Sequence, residues 1–99
     1  MQVPAGASIR SVPYVYLLRC RGGSLYAGAA MDLERRLAEH RSGRASRYTR
    51  SRLPVELVWS VEVGSWSEAL REEARIKRLP RVGKQRLVTS GGPPAASSD

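Results

Sequence analysis

Two apolar segments near the start of the chain predict a β-hairpin. The segment Tyr14–Cys20 is aromatic or aliphatic on both alternating faces, which is typical of a central strand. The turn Arg21–Ser24, with its two glycines, separates it from a second short strand at Leu25–Gly28. A third strand is predicted at Leu57–Val63, where one alternating face is more apolar than the other.

Capping residues and helical spacing predict a first helix after the hairpin. Asp32 is placed to cap a helix that runs to about Arg41, with Leu33 and Leu37 on its inner face. Gly43 follows its end. An arginine-rich loop then leads to the third strand.

A second helix is predicted between Ser65 and Pro80. Ser65 and Glu68 have the spacing of a capping box, and a proline does not continue a helix. A short basic helix or turn around Gly83–Leu87 completes the domain. The order ββαβα(α), with hairpin-linked strands first, predicts a sandwich-like α+β fold in which helices flank a three-stranded, mainly antiparallel sheet.

Length and composition fit one globular domain. The chain has 99 residues, of which 41% are hydrophobic and 26% charged, enough for one modest core. We expect the folded domain at residues 13–88, between a flexible tail at 1–12 and a disordered tail at 89–99, because both tails are rich in small residues. No apolar run is long enough to span a membrane, and the start of the chain lacks the apolar region of a signal peptide.

The cysteine and histidine content excludes two classes of small protein, those held together by disulfides and those built around zinc. One cysteine and one histidine are too few for an internal disulfide or a four-ligand zinc site. We therefore expect a cytoplasmic protein that does not bind membranes.

The charge distribution points to a partner. Seventeen basic residues against nine acidic ones give a net charge of +8, and fifteen of the seventeen are arginine, which binds phosphate bidentately. No acidic residue lies between Glu39 and Glu56, and five arginines do: Arg41, Arg44, Arg47, Arg50 and Arg52. A solvated loop would account for them, but a polyanionic partner accounts for them better, because it offsets the repulsion of clustered like charges.

Polar residues beside apolar stripes are the first functional candidates. Arg36 and His40 lie one helical turn apart on one face of the first helix, although two polar residues flanking an amphipathic face would show the same spacing. Tyr16 and Tyr26, one on each hairpin strand, would ordinarily be core aromatics with a hydroxyl at the rim. No Ser-His-Asp set, Cys-His set or phosphate-binding glycine motif can be assembled.

A glutamate on the second helix is the other candidate. An apolar arc has Glu73 near its centre, while Glu72 lies on the polar side and needs no partner but water. The members of that arc are Trp66, Ala69, Leu70 and Ile76. A carboxylate in that position requires an ion pair, a proton or a bound cation. Both an ion pair with Lys77 and a divalent metal site stay open.

Taken together, these segments resemble the GIY-YIG nuclease domain. The first tripeptide is Tyr14-Val15-Tyr16, with tyrosine in place of glycine, and the second is Tyr26-Ala27-Gly28, with alanine in place of isoleucine. The segment from Asp32 to His40 follows, and Ala69–Leu79 resembles the glutamate helix of that family. The resemblance covers roughly residues 13–88 and is to the small single-domain bacterial branch.

The resemblance implies a metal-dependent endonuclease that hydrolyses phosphodiester bonds in DNA, in the bacterial cytoplasm and with a role in DNA repair. Its site would contain Tyr16 to position or deprotonate water, Tyr26 to orient water or phosphate, Arg36 to stabilise charge on the phosphate, His40 as an accessory group, and Glu73 to hold one Mg²⁺ or Mn²⁺. The motif spacing does not distinguish Glu72 from Glu73; the helical-face argument favours Glu73. The arginines from Arg41 to Arg52 would contact flanking phosphates, and no small-molecule cofactor is implied.

Two other functions stay open at this point. A non-catalytic nucleic-acid-binding module would keep the fold and the basic loop. A small protein that binds an acidic partner surface through its arginines would also explain the charge.

Overall fold

The described part of the chain, residues 12–90 of a computed structural model, contains three strands and four helices. In chain order they are β1 (Tyr14–Arg19), β2 (Leu25–Ala30), α1 (Leu33–Arg41), α2 (Arg47–Arg50), β3 (Glu56–Glu62), α3 (Trp66–Arg78) and α4 (Arg81–Ser90). The tails predicted at 1–12 and 89–99 lie outside the described residues, apart from Val12 and the last two residues of α4.

Strand β1 is the central strand of the sheet. The strand order is β2-β1-β3, and β1 pairs antiparallel with both neighbours. This confirms the predicted α+β fold with a three-stranded antiparallel sheet. Because β1 has a neighbour on each side and a layer of side chains on each face, it is apolar at every position from Val15 to Leu18.

Helices cover both faces of the sheet. On one face, Val15 and Leu17 pack with Ile76 of α3, and α4 adds partly buried side chains to the same cluster. On the other face, Tyr16 and Leu18 pack with Leu37 of α1. The side chain of Tyr16 therefore lies between the central strand and α1.

The predicted helix caps are present. The side chain of Asp32 accepts a hydrogen bond from the Arg35 backbone N–H at 3.1 Å, and Ser65 accepts one from Glu68 N–H at 3.1 Å. Helix α1 ends at Arg41 with Ser42 as its C-cap, and Gly43 follows with φ +83°, a left-handed conformation that glycine adopts without strain.

Two segments contain more helix than the sequence predicts. The predicted loop between Arg41 and Arg52 contains the short helix α2, because Ser46 caps it by accepting from the Thr49 N–H at 3.1 Å. The predicted short helix or turn around Gly83–Leu87 is the ten-residue helix α4.

The apolar arc expected on α3 is wrong at two of its four positions. Ala69 and Ile76 are buried, but Trp66 and Leu70 are 42% and 45% exposed. The reason is that α3 buries only the stripe repeating every seventh residue against the small sheet, so apolar residues beside that stripe face solvent. Within residues 12–90, no helix has the length and apolar character needed to cross a membrane.

Candidate active site

A hydrogen bond between two buried side chains forms the centre of the site. The hydroxyl of Tyr16 on β1 lies 2.9 Å from Nε2 of His40 on α1. Both side chains are almost completely buried, and their rings meet edge to face at 5.7 Å between centroids. The fold thus brings together two sequence-predicted site residues that are 24 positions apart in the chain.

The second nitrogen of His40 fixes the proton arrangement. Its Nδ1 lies 2.9 Å from the hydroxyl oxygen of Thr49, which is fully buried. The Thr49 hydroxyl can donate to the carbonyl oxygen of Ser46 at 3.4 Å or to its side-chain oxygen at 2.9 Å. We therefore assign the imidazole proton to Nδ1, donating to Thr49, which leaves Nε2 to accept from the Tyr16 O–H.

Thr49 and Ser46 are not among the site residues that the sequence predicts. The Ser46-to-Thr49 spacing is a cap signal that predicts a helix start, and that helix would have brought Thr49 inward. The surrounding arginines instead favoured a solvated loop.

Burial sets the protonation of the Tyr16–His40 pair. It raises the pKa of Tyr16, with further increases from the neighbouring Tyr26, Glu73 and Glu39 and an opposing effect of Arg36. Burial lowers the pKa of His40, as does Arg36, while Glu39 opposes them. At neutral pH the pair is therefore an un-ionised phenol that donates to an un-ionised imidazole.

Tyr26 belongs to an aromatic stack that extends from the site to the surface. Its ring lies 5.4 Å from that of His40 and stacks on Tyr48, with 5.6 Å between centroids and 23° between planes. The guanidinium of Arg52 lies 3.8 Å above the Tyr48 ring and donates to the Tyr48 carbonyl oxygen at 3.0 Å. Nothing in the spacing of Tyr48 among the arginines singles it out in the sequence.

Arg36 is held at the site by an ion pair on its own helix. Its Nη1 donates to Oε1 of Glu39 at 2.9 Å, and Arg35 contacts the other carboxylate oxygen at 3.5 Å. The Arg36 side chain is 40% exposed and lines a cleft of about 400 Å³ that also contains Trp66. Part of its donor set therefore faces a space that a ligand can enter.

The two adjacent glutamates of α3 have different surroundings. The Glu73 side chain is 19% exposed, and its Oε2 lies 3.2 Å from Nζ of Lys77. It is also close enough to Tyr16 to raise the pKa of that phenol. Of the two alternatives that the sequence leaves open for Glu73, the ion pair with Lys77 is therefore present.

Glu72 lies in a different environment from Glu73. Two guanidinium nitrogens of Arg75 donate to its carboxylate, and this interaction lowers the pKa of Glu72. The pair lines a separate cleft that also contains Glu68 and Arg71. The expectation that Glu72 needs no partner but water is wrong, because a facing arginine lies one turn away on the same helix.

The donor set limits the kind of metal site that the chain could provide. Within residues 12–90, no three His, Cys, Asp or Glu side chains are grouped as metal ligands. Mg²⁺ commonly binds through one or two carboxylates while water and substrate phosphates supply the remaining ligands. A single carboxylate at Glu73 fits that mode.

The arginines predicted to contact nucleic acid occupy three places. Arg44, Arg47 and Arg50 line one cleft of about 520 Å³ around α2. Arg41 lies in another cleft beside Leu53, and Arg52 stacks on Tyr48. Of the five, Arg44, Arg47 and Arg50 therefore share one cleft.

Comparison of the chain with known protein families shows the family to which it belongs. The model of the GIY-YIG catalytic domain matches residues 12–85. The chain belongs to the GIY-YIG family. The resemblance inferred from the motifs is thereby confirmed.

Similar GIY-YIG proteins come from several bacteria. A UPF0213 protein of Staphylococcus saprophyticus is 41% identical over 78 residues, which cover 79% of this chain and 95% of that protein. A UPF0213 protein of Oceanobacillus iheyensis is 48% identical over 75 residues, 76% of this chain and 87% of that protein. The solution NMR structure of a UPF0213 protein from Bacillus halodurans, 42% identical, has a TM-score of 0.54 and covers 84% of this chain and 88% of that one.

The departure of this chain from the second GIY-YIG tripeptide lies away from the Tyr16–His40 pair. Ala27 packs with Val15 and Leu17 on the α3 face of the sheet, whereas Tyr16 lies on the α1 face. Gly28, the last residue of that tripeptide, is directly opposite Tyr16 in the β1–β2 ladder. Position 27, where the family signature has isoleucine, therefore lies in the core on the face of the sheet opposite Tyr16.

Proposed function

We propose that this protein is a divalent-metal-dependent endonuclease that hydrolyses phosphodiester bonds in DNA. The observation that carries the proposal is the hydrogen bond from Tyr16 to Nε2 of His40, 2.9 Å long. It joins two buried un-ionised groups next to Arg36, a cation that acts on both of their pKa values. A phenol hydrogen-bonded to an imidazole can take a proton from water, and a neighbouring arginine can bind the phosphate. These are the groups that general-base hydrolysis of a phosphodiester needs.

In this mechanism Tyr16 transfers a proton and does not act as a phenolate. Its raised pKa keeps the phenol protonated, so its oxygen accepts a proton from the attacking water while its own proton passes to Nε2 of His40. The imidazolium that results keeps its Nδ1–H bond to Thr49. Nε2 is available for this step because the pKa of His40 is lowered in the free protein.

Arg36 supplies the positive charge for the phosphate. Charge that develops on the phosphate oxygens is stabilised by donors already in position. The ion pair with Glu39 at 2.9 Å holds the guanidinium, and the Arg36 side chain lines the cleft. Glu39 is thus a positioning residue for Arg36.

Glu73 would hold Mg²⁺ or Mn²⁺, which when bound would neutralise charge on the scissile phosphate. The ion pair with Lys77 keeps the Glu73 carboxylate oriented on its helix. The grouped arginines Arg44, Arg47 and Arg50 would bind phosphates outside the site.

A second candidate is a non-catalytic nucleic-acid-binding module of the same fold. The ion pairs favour it, because Arg36 is already bonded to Glu39 and Glu73 to Lys77. A site whose charged groups serve only one another would bind nucleic acid without cleaving it.

Incubation of the purified protein with a labelled panel distinguishes the two candidates. The panel contains duplex, nicked, branched and single-stranded DNA and single-stranded RNA, each with Mg²⁺, Mn²⁺ or EDTA. We expect cleavage of DNA with metal and none with EDTA. The Glu73→Gln variant, purified in the same way, controls for contaminating nucleases. Binding without cleavage in every metal condition would favour the second candidate.

A further inference from the structure

The two tryptophans of the chain have opposite environments. Trp59 is 6% exposed in the core, whereas Trp66, the first residue of α3, is 42% exposed. A large aromatic side chain at a helix start gains little for folding when so much of it faces solvent. An exposed aromatic beside a basic functional site is a surface on which a ligand can pack.

The cleft at Trp66 shares Arg36 with the proposed active site. Its lining residues include Arg36, which the mechanism places on the phosphate, and Met31, an apolar side chain that is 44% exposed. The two acidic residues of the cleft are already engaged. Asp32 caps α1, and Glu39 is bonded to Arg35 and Arg36.

We infer that this cleft binds an unpaired nucleotide base of single-stranded DNA, stacked on the indole of Trp66 beside the phosphate that Arg36 contacts. The inference rests on the proposed function, because Arg36 connects the base site to the phosphate site. Bases within a duplex are covered on both faces by their neighbours, so an indole stacks only on a base that is unpaired or terminal. The preferred substrate is therefore DNA with an unpaired nucleotide at the cleavage position.

Intrinsic fluorescence tests this site without requiring cleavage. Trp66 is the only exposed tryptophan of the two in the chain, so a base stacked on it quenches a signal that buried Trp59 does not share. The titration uses the Glu73→Gln variant in EDTA, with single-stranded DNA, blunt duplex DNA and single-stranded RNA of equal length. We expect quenching by single-stranded DNA that exceeds quenching by duplex, and none when Trp66→Phe is added to the variant.

Affinity measurements complete the test. Trp66→Ala should weaken binding of single-stranded DNA by roughly 5- to 150-fold, the range for loss of one stacked base, with little effect on duplex binding. Trp66→Phe should retain most of the affinity, since it keeps an aromatic face. Val82→Ala is the matched control, because it removes an exposed apolar side chain of a different helix, α4. This variant should bind single-stranded DNA as tightly as its parent does.

The possible failures are distinguishable. Equal affinity of the Trp66→Ala variant and its parent for single-stranded DNA would overturn the stacking site, even if the wild type cleaves DNA. Quenching by RNA and not by DNA would overturn the assignment to DNA. Absence of cleavage by the wild type with Mg²⁺ and with Mn²⁺ would instead overturn the proposed function, whatever the fluorescence shows.

Discussion

The ring of Tyr16 lies against Gly28, its partner in the β1–β2 ladder, where there is no room for a side chain. A Cβ at position 28 would lie 2.5 Å from Cζ and 2.9 Å from Cε1 of Tyr16. Gly28→Ala should therefore displace the phenol from His40, costing about 1–3 kcal/mol of unfolding free energy, as overpacking does, and abolishing cleavage. Urea unfolding and a cleavage assay on the same variant measure both effects.

Gly83→Ala is the control for a glycine outside the site. Its added Cβ would lie nearest to the side chain of Leu79, 3.3 Å from Cβ. Cleavage should stay near the wild-type rate in this variant. If Gly28→Ala also cleaves at that rate, the contact between the ring and Gly28 does not position Tyr16.

Replacement of Arg36 separates transition-state stabilisation from binding. Arg36→Ala should lower the cleavage rate by about 10²-fold or more, the scale for loss of one such donor, with a smaller change in DNA affinity. Arg36→Lys should recover only part of the rate, because an ammonium lacks the planar fork. Single-turnover kinetics and a binding assay on each variant give the two quantities.

Arg35 offers a neighbouring control on the same helix. It contacts the same Glu39 carboxylate, but its side chain is 78% exposed. Arg35→Ala should change the single-turnover rate much less than Arg36→Ala. Equal losses from the two variants would show that positive charge on α1, and not the position of Arg36, is what matters.

The adjacent glutamates predict different outcomes for the same substitution. Glu73→Gln should eliminate cleavage while DNA binding persists or strengthens, because a negative charge near phosphate is removed. Glu72→Gln should leave cleavage nearly unchanged. Loss of its exposed pair with Arg75 should cost at most about 1 kcal/mol of unfolding free energy.

Lys77→Met tests the structural alternative for Glu73. If the Glu73–Lys77 ion pair serves only stability, Glu73→Gln and Lys77→Met should lower the melting temperature alike and leave cleavage intact. Full activity in Glu73→Gln with loss of activity in Glu72→Gln would instead assign the metal ligand to Glu72.

Local patterns were sufficient to predict the sheet and the caps. The doubly apolar β1, the hairpin glycines and the Asp32 and Ser65 caps each act within a few residues, so spacing alone reveals them. The position of Arg36 and His40 on one face of α1 also follows from their spacing in the sequence. Residue spacing does not predict the tertiary contacts of His40, whose Nε2 meets the Tyr16 hydroxyl and whose Nδ1 meets the Thr49 hydroxyl.

The errors also have a physical origin. Treating every apolar residue on one side of α3 as buried assumes a sheet broad enough to cover that side. The three-stranded sheet covers Ala69 and Ile76 and leaves Trp66 and Leu70 exposed. The inward orientation of Glu73 is therefore supported by the low exposure of its own side chain, 19%, and less by the apolar arc.

The arginines around α2 predict a salt-dependent affinity. Replacing Arg44, Arg47 and Arg50 together by serine should weaken DNA binding and flatten the dependence of log affinity on log salt. Each lost phosphate contact should reduce the slope by roughly 0.9 for duplex DNA. Titrations at several salt concentrations give the slope.

A second triple variant controls for net charge alone. Serine at Arg71, Arg78 and Arg86 removes the same charge from α3 and α4, outside the cleft around α2. Its salt slope should change less than that of the first triple variant. Equal slopes in the two variants would show that the cleft around α2 does not contact phosphate.

His40 predicts how stability and activity depend on pH. Its pKa in the native protein is lowered from the ordinary value of about 6.5, so below that pH the unfolded chain binds a proton that the native protein does not. The free energy of unfolding should therefore fall as pH decreases from about 6.5 towards the native pKa, and His40 should contribute no slope above that range.

Cleavage should decline as pH falls through the native pKa of His40, since protonated Nε2 no longer accepts a hydrogen bond from Tyr16. Urea unfolding and cleavage rates between about pH 5 and pH 8 measure both, with His40→Gln as the variant that cannot titrate. A slope unchanged in His40→Gln would assign the pH dependence to other groups and contradict the buried, un-ionised imidazole.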